Sequence, residues 1–207
     1  GLSSQDVARL GKDLTPLGGE KAGNADGSIP AWDGGIVSPP AGYQAGKHYV
    51  DPFAADAPIA TIDGKNAATY ADKLSDGHQA MLKLYPSFRM KIYPTRRSAS
   101  APQRIYDGTA KSAATAQLAP GGNGVTGAIG GTPFPIPQTG VEVVWNHLLR
   151  FRGDIARRQV AQAAPTRGGD YTLVQFEEET MFLYYLPGAT EQGLRNVKET
   201  TKRADAV

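Results

Sequence analysis

Glycine and proline set the terms on which this chain can fold. There are 25 Gly and 15 Pro among 207 residues, about half again the share of the two in average proteins. Their placement is uneven: residues 1–62 hold 16 and residues 101–140 hold 13, whereas 63–100 and 141–207 hold 4 and 7. Glycine admits backbone conformations that interrupt regular ladders, and proline lacks the donor those ladders need. The pattern predicts a Gly/Pro-rich coat over 1–62, a helix plus strand over 63–100, a Gly/Pro-rich loop over 101–140, and a helix with antiparallel strands over 141–207. At this length the whole, 1–207, reads as a single domain or part of one.

Composition narrows the class further. Leu, Ile, Val and Phe total 40 residues, near the level at which chains stay disordered, but a net charge of +2 brings little self-repulsion, so a folded chain is expected. Cysteine is absent, which excludes disulfides, thiolate catalysis and Cys-built zinc sites and leaves the compartment open. No apolar run approaches the ~18 residues of a membrane-spanning helix, so the chain is read as soluble or peripheral. It opens at Gly1 with neither an initiator Met nor a signal peptide, which fits a processed chain and a trimmed one equally.

Local patterns place the elements. Ser3 with Asp6 three positions on, followed by Val7 and Leu10, predicts a short opening helix. From Leu14 to Tyr49 neither helical nor strand periodicity appears, and Trp32 is the natural anchor for ordered coil because an indole buries a large apolar area alone. Asn66 can cap a helix carrying Tyr70, Leu74, Met81, Leu82 and Tyr85 and ending before Pro86, with Gly77 as a bend point. Phe88 to Tyr93 alternates apolar and basic residues and reads as a half-buried strand. Val141, Val144, Trp145, Leu148 and Leu149 form a helical stripe, with Glu142 in the first turn and Gly153 as the left-handed cap beyond Arg152. Asp154–Ala163 and Asp170–Glu177 flank a turn at 165–169 and suggest a hairpin, and Met181–Leu186 reads as the third strand of a meander.

Few motifs carry chemistry. Gly122, Gly124 and Gly127 have dinucleotide-site spacing, but no strand precedes and no helix follows, so a loop is the reading. His48, His78 and His147 are far apart in sequence, and no catalytic motif occurs; no catalytic residue, metal or cofactor is expected. Lys83 to Lys111 carries seven basic residues against one acid, interleaved with Tyr85, Phe88, Tyr93 and Tyr106. That run suits internal pairing with the acidic opening segment, or stacking on single-stranded nucleic acid, or an anion seat in which Arg96 and Arg97 grip a lipid headgroup. The near-neutral net charge argues against a nucleic-acid partner. The aromatic group Trp145, Phe151, Phe176, Phe182, Tyr184 and Tyr185 is either ordinary core or the wall of an apolar cavity. In the second case Trp145, Leu148, Leu149, Phe151, Phe176, Phe182 and Tyr184 line the ligand space.

Three segments resemble a known family: LTPLGGEKAGNADGSIPAWDGG, YADKLSDGHQAMLKLYPSFRMKIYPTRRSASAP and GTPFPIPQTGVEVVWNHLLRFRG, in that order over residues 14–153, are similar to hallmark segments of the DUF1329 family of Gram-negative bacteria. The resemblance implies an exported periplasmic protein, its signal peptide removed, associated with the outer membrane. It implies an α+β fold like that of the lipoprotein carriers LolA and LolB, a curved antiparallel sheet forming a half-barrel with covering helices around an apolar cavity. It also implies work alongside a DUF1302-type outer-membrane barrel and a resistance-nodulation-division transporter. Family members usually continue beyond this chain, and the likeness weakens after residue 170, so the half-barrel is expected to be incomplete. A C-terminal continuation or a second chain could complete it by strand addition, and the polar tail 193–207 shows no strand alternation. The resulting expectation is a non-enzymatic carrier of a lipid-like molecule; the alternative is a structural or interaction subunit of a larger envelope assembly.

Overall fold

Ser3 opens the first helix as its spacing predicts. Its hydroxyl accepts a hydrogen bond from the Asp6 amide at 3.2 Å, and α1 (Ser4–Val7) lasts one turn. The computed structural model describes residues 1–195, so residues 196–207, most of the predicted polar tail, lie outside the described residues. The chain divides into two compact units, one formed by residues 1–21 with 101 onward and the other by 22–100.

In the 22–100 unit the coat is coil pinned by hydrogen bonds. The Asn24, Asp26 and Ser28 side chains close a turn in which the Asp26 carboxylate accepts the Ser28 amide at 2.9 Å. Trp32 is the anchor, though half-buried and acting through its polar edge: Nε1 donates to the Ala99 carbonyl at 2.9 Å. Beside it the Ile36 amide donates to the Ser98 carbonyl at 2.9 Å. The backbone approach is so close that a Cβ on Gly35, at φ +72°, would sit 2.4 Å from the Ala99 oxygen. Where the coat ends, β1 (Ala60–Ile62) pairs antiparallel with β2 (Met90–Ile92). The strand expected over 88–93 is thus present in its central three residues.

The single helix expected from Asn66 is two pieces. A 3-10 helix, Ala67–Lys73, ends where Leu74 turns extended, and α2 (Asp76–Leu84) restarts under a new cap, the Ser75 hydroxyl accepting from the His78 amide at 3.3 Å. The break falls at Leu74–Ser75, not at Gly77, because a serine hydroxyl that caps a following helix competes with continuing the preceding one. Asn66 makes no cap; its side chain accepts from the Asp63 amide and donates to the Thr61 carbonyl. Ile62, Leu74 and Leu82 form the core of this unit, with Tyr70, Phe88 and Met90 packed on them.

The other unit departs most from the sequence pattern. Within the stretch expected as loop stands α3 (Gln103–Thr115), the longest helix among the described residues. Its buried face is Ile105, Thr109, Ser112 and Ala113, at i, i+4, i+7 and i+8, a helical stripe built mostly of small residues. Around the glycine motif, β3 (Gln117–Leu118) and β4 (Val125–Thr126) form a short antiparallel pair. The Gly122 carbonyl there accepts from Trp145 Nε1 at 2.8 Å. The glycines of 121–127 therefore turn a small hairpin. The PFPIP run is ordered as well, with Pro133, Phe134 and Pro135 buried and the Asn146 side chain bonded to both the amide and the carbonyl of Phe134.

The strong helix appears as α4 (Gly140–Leu148), opened by a capping box between Thr139 and Glu142. It ends four residues short of Arg152, and its apolar stripe lies open, with Val141, Val144 and Leu148 each about half exposed. The hairpin follows: β5 (Ile155–Pro165) and β6 (Tyr171–Met181) pair in register from Ile155 opposite Met181 to Pro165 opposite Tyr171. The expected third strand is not one. After Met181 the chain makes a 3-10 turn, Leu183–Tyr185, that sends Phe182 and Tyr185 into the core. An apolar run with no polar alternation satisfies a buried turn as well as a two-faced strand, and Pro187 then blocks a ladder. A short helix, α5 (Glu191–Arg195), closes the described chain. Helices with small antiparallel sheets give the expected α+β class, and each sheet among the described residues has two strands.

Candidate functional site

Tyr185 organises the aromatic group. Its ring meets Phe151 edge-on at 5.2 Å between centroids and lies 4.9 Å from Tyr184, while Ile105 and Phe182 complete the buried cluster. Two guanidiniums cover it, Arg104 over Phe151 at 5.5 Å and Arg152 over Phe182 at 4.7 Å. Arg104 also donates to the Tyr185 carbonyl at 2.7 Å and pairs with Asp154. Phe151, Phe182 and Tyr184 are therefore brought together and fill one another's space. The other predicted lining residues lie elsewhere: Trp145 and Leu148 on α4, Leu149 half-buried just after it, and Phe176 on β6.

The β5–β6 ribbon leaves apolar side chains open among the described residues. Antiparallel partners share a face, so Ala156, Val160, Phe176, Glu178 and Thr180 point one way and Ile155, Leu173 and Met181 the other. Only Ala156, Val160, Glu178 and Thr180 are half-buried, all on the first face near the ribbon's root. By contrast Ile155 and Met181 at the root and Leu173, Val174 and Phe176 further out are 42–53% exposed. Arg158 grips Glu178 across the strands at 2.8 to 3.2 Å, holding that carboxyl below its ordinary range with help from the Thr180 hydroxyl. Arg157 pairs likewise with Glu177 at 2.5 Å.

Arg96 and Arg97 do meet at one cleft, of about 290 Å³, in the 22–100 unit. The Arg96 fork is filled by Asp56, with Nε to Oδ2 at 2.9 Å and Nη2 to Oδ1 at 2.5 Å, and the guanidinium lies 5.2 Å from the centre of the Phe53 ring. Arg97 reaches the Pro30 carbonyl at 3.4 Å. A bidentate carboxylate already occupies the geometry a headgroup phosphate would need at Arg96.

Comparison with known proteins then places the chain. The family model described as "Protein of unknown function (DUF1329)" matches residues 61–204. The chain belongs to the DUF1329 family. The uncharacterized protein PA3922 of Pseudomonas aeruginosa is 44% identical over 182 residues, 87% of this chain and 40% of that protein. The DUF1329 chain thus spans less than half the length of this curated relative. No solved structure matches it.

Among the described residues no cluster of three His, Asp or Glu could hold a metal, and no helix is long and apolar enough to cross a membrane. Sequence reasoning missed Ile155, Leu173, Val174 and Met181 as open apolar positions. Each pairs across the ribbon, and what covers or bares a ribbon face is decided by elements elsewhere in the chain, which its own alternation does not report. One prediction follows from the Arg96 pair. The hydrogen bond from Arg96, reinforced by its charge, lowers the Asp56 pKa from 3.8, and Asp56 raises Arg96 in turn. A depressed folded pKa gives a contribution to stability that is present above the unfolded value and is lost as pH falls through the folded one. In an NMR carboxyl titration Asp56 should therefore titrate below 3.8, and Arg96→Gln should return it towards that value. An unshifted Asp56 in the unsubstituted protein would refute the pairing.

Proposed function

We propose that this DUF1329 chain is a non-enzymatic, periplasmic binding component that holds a lipid-like or other apolar molecule against the β5–β6 ribbon. The observation supporting this is the ribbon's exposed apolar side chains, Val174 and Phe176 on the face of Ala156 and Val160, and Ile155, Leu173 and Met181 on the opposite face, each 42–53% exposed. Such open apolar surface on a folded chain marks a binding surface, and each CH₂ covered contributes about 0.8 kcal/mol. In this reading the ribbon is one part of a larger curved sheet of LolA/LolB type, with further strands from sequence like that of the relative beyond the matched region. The ligand passes to a DUF1302-type outer-membrane barrel supplied by a resistance-nodulation-division transporter. The lining set shifts accordingly: Phe176 and Leu148 stay candidates for ligand contact, whereas Phe151, Phe182 and Tyr184 support the core from behind.

A second reading, an interaction subunit of an envelope assembly, is favoured by one specific observation: each ribbon strand has 11 residues and, among the described residues, a single neighbour, which leaves two long edges unpaired within them. Lipid extraction and native mass spectrometry of purified protein, with titration of a fluorescent fatty acid, separate the readings. The carrier reading expects bound lipid, a monomer by light scattering, and binding weakened at least tenfold by Phe176→Asp, a substitution at an exposed position that puts charge into the contact. Absence of both extracted lipid and fatty-acid binding overturns it, and a stable oligomer through the ribbon favours the subunit.

A further inference from the structure

A second cleft, of about 800 Å³, lies within residues 63–89, in the size range of small-molecule sites. Its frame is closed by specific contacts. The Asp63 carboxylate accepts from the Lys65 amide at 2.8 Å, and the Asn66 side chain accepts from the Asp63 amide at 2.8 Å, so the turn after β1 is tied to itself. Gly64 then presses on α2, where a Cβ would sit 2.9 Å from the Leu82 carbonyl oxygen. Gln79 Nε2 donates to the Ala71 and Leu74 carbonyls at 3.4 and 3.2 Å, fastening the 3-10 helix to α2.

Two chemistries line this frame. One wall is methyl-bearing, with Ala67, Ala68 and Ala71 from the 3-10 helix and Ala80 from α2. The charged lining groups are mostly cationic, Lys65, Lys83 and Arg89, against one acid, Asp63, which stands 3.6 Å from Arg89. Lys65 and Lys83 have no carboxylate within 4 Å among the described residues. The lining thus carries two positive charges in excess, beside a surface with nothing to offer a polar body except the Gln79 amide.

We infer that this cleft is a binding site for a small amphiphilic anion, a carboxylate or phosphate monoester on a short apolar body, with the anion at Lys65 and Lys83 and the body on the alanine wall. A bare anion leaves the methyl wall wet, and a neutral apolar molecule leaves the two ammoniums without a partner, so the matching ligand carries both parts. The contacts are solvent-accessible, so the charge contribution is modest and weakens with salt. The inference stands on residues 63–89 alone and does not rest on the carrier reading.

The test uses the full chain, labelled for amide and alanine-methyl NMR, titrated with octyl phosphate, inorganic phosphate and 1-octanol at low ionic strength. Octyl phosphate is expected to give saturable shifts at Ala67, Ala71 and Ala80, at least tenfold tighter than either half-ligand. Lys65→Gln with Lys83→Gln, both at exposed positions, should weaken it about tenfold, the sum of two exposed charge contacts. Equal binding of 1-octanol removes the anion from the proposal, equal binding of inorganic phosphate removes the amphiphile, and unchanged affinity in the double variant overturns the site. Vesicles containing phosphatidylglycerol present a phosphate diester on a surface. If they shift these alanines while octyl phosphate does not, the face contacts membrane and the small-ligand site fails. Loss of fatty-acid binding at the ribbon would leave these shifts untouched, so the two readings fail separately.

Discussion

Replacing Tyr185 by alanine is expected to lower stability by about 3–5 kcal/mol, the range for deleting a fully buried aromatic ring. Tyr185 is 1% exposed and packs its ring against both Phe151 and Tyr184. Its hydroxyl donates to the Leu149 carbonyl and, at 3.4 Å, to the Gly131 carbonyl, so the side chain ties the segment after β6 to the end of α4 and to the loop under α3. Tyr185→Phe keeps the ring and removes the donor, leaving carbonyl oxygens short of a partner, and should cost about 1–3 kcal/mol. The pH dependence distinguishes the two terms. Burial, with a smaller contribution from Tyr184, pushes the Tyr185 pKa up from 10.0 to about 12. A raised folded pKa keeps the proton on the folded form, so this contribution is complete below pH 10 and is lost as pH rises towards 12. Urea unfolding followed by tryptophan fluorescence and circular dichroism at pH 8 and pH 11 should show that slope in the unsubstituted protein and not in Tyr185→Phe. A loss below 1 kcal/mol for Tyr185→Ala would contradict the central place given to this ring.

The second large effect runs against intrinsic propensity. Gly108 sits inside α3, where alanine is ordinarily worth about 1 kcal/mol over glycine. A Cβ there would lie 2.3 Å from the Gly130 carbonyl oxygen, and a Cβ on Gly131 would lie 2.2 Å from the Thr109 nitrogen. Both obstacles are backbone, which cannot swing aside as a side chain can. The loop also delivers the Thr132 amide to the Thr109 hydroxyl at 3.0 Å, a contact that separation would break. Gly131→Ala is therefore expected to cost about 3 kcal/mol or more, at the upper end of overpacking effects. Gly108→Ala should cost about 2 kcal/mol after its helix-propensity gain is subtracted. Gly77→Ala in α2 supplies the contrast, since its new Cβ would meet only the Ser75 hydroxyl, at 3.8 Å. That change should be neutral or stabilising by up to about 1 kcal/mol. Denaturation midpoints showing the same sign for all three would contradict the close crossing of α3 and the 130–131 loop.

These two sites also show where reading the chain by pattern succeeds and stops. α4 was legible because valine, tryptophan and leucine mark a helical period loudly, and the ribbon because alternating strands flank a Gly-Gly turn. α3 was hidden because its inner face is Thr109, Ser112 and Ala113 beside a single Ile105, residues that a hydrophobicity pattern does not register. Its packing partner is a glycine pair that composition assigns to loops. The run Met181 to Leu186 carried the right statement, that it is buried, and the wrong geometry, since burial on both sides suits a packed 3-10 turn as well as a central strand. The candidate sites were legible to different degrees. Phe176 and Lys83 stood out as residue types, but Lys65 meets Lys83 only because β1 pairs with β2 and returns the chain past α2. Arg96 and Arg97 were found together, and the carboxylate filling Arg96 comes from Asp56, 40 positions earlier.

The sequence by itself determined membership of DUF1329, the α+β class, the cap at Ser3, and the need for many left-handed backbone positions; the left-handed Gly153 lies beyond the helix it was expected to cap, which closes at Leu149. Every described residue with positive φ is a glycine, so the composition was a direct statement about backbone conformation. Those properties are local, set by a residue's own sterics and its neighbours within a turn. Only the tertiary structure decided which glycines are contacts and which are turns, and that the aromatic group is packed core while the ribbon is open. Such outcomes depend on which distant backbone lies within 3 Å of a given atom. Periodicity says which face of an element is apolar, but the partner that covers it, or leaves it bare, comes from elsewhere in the chain.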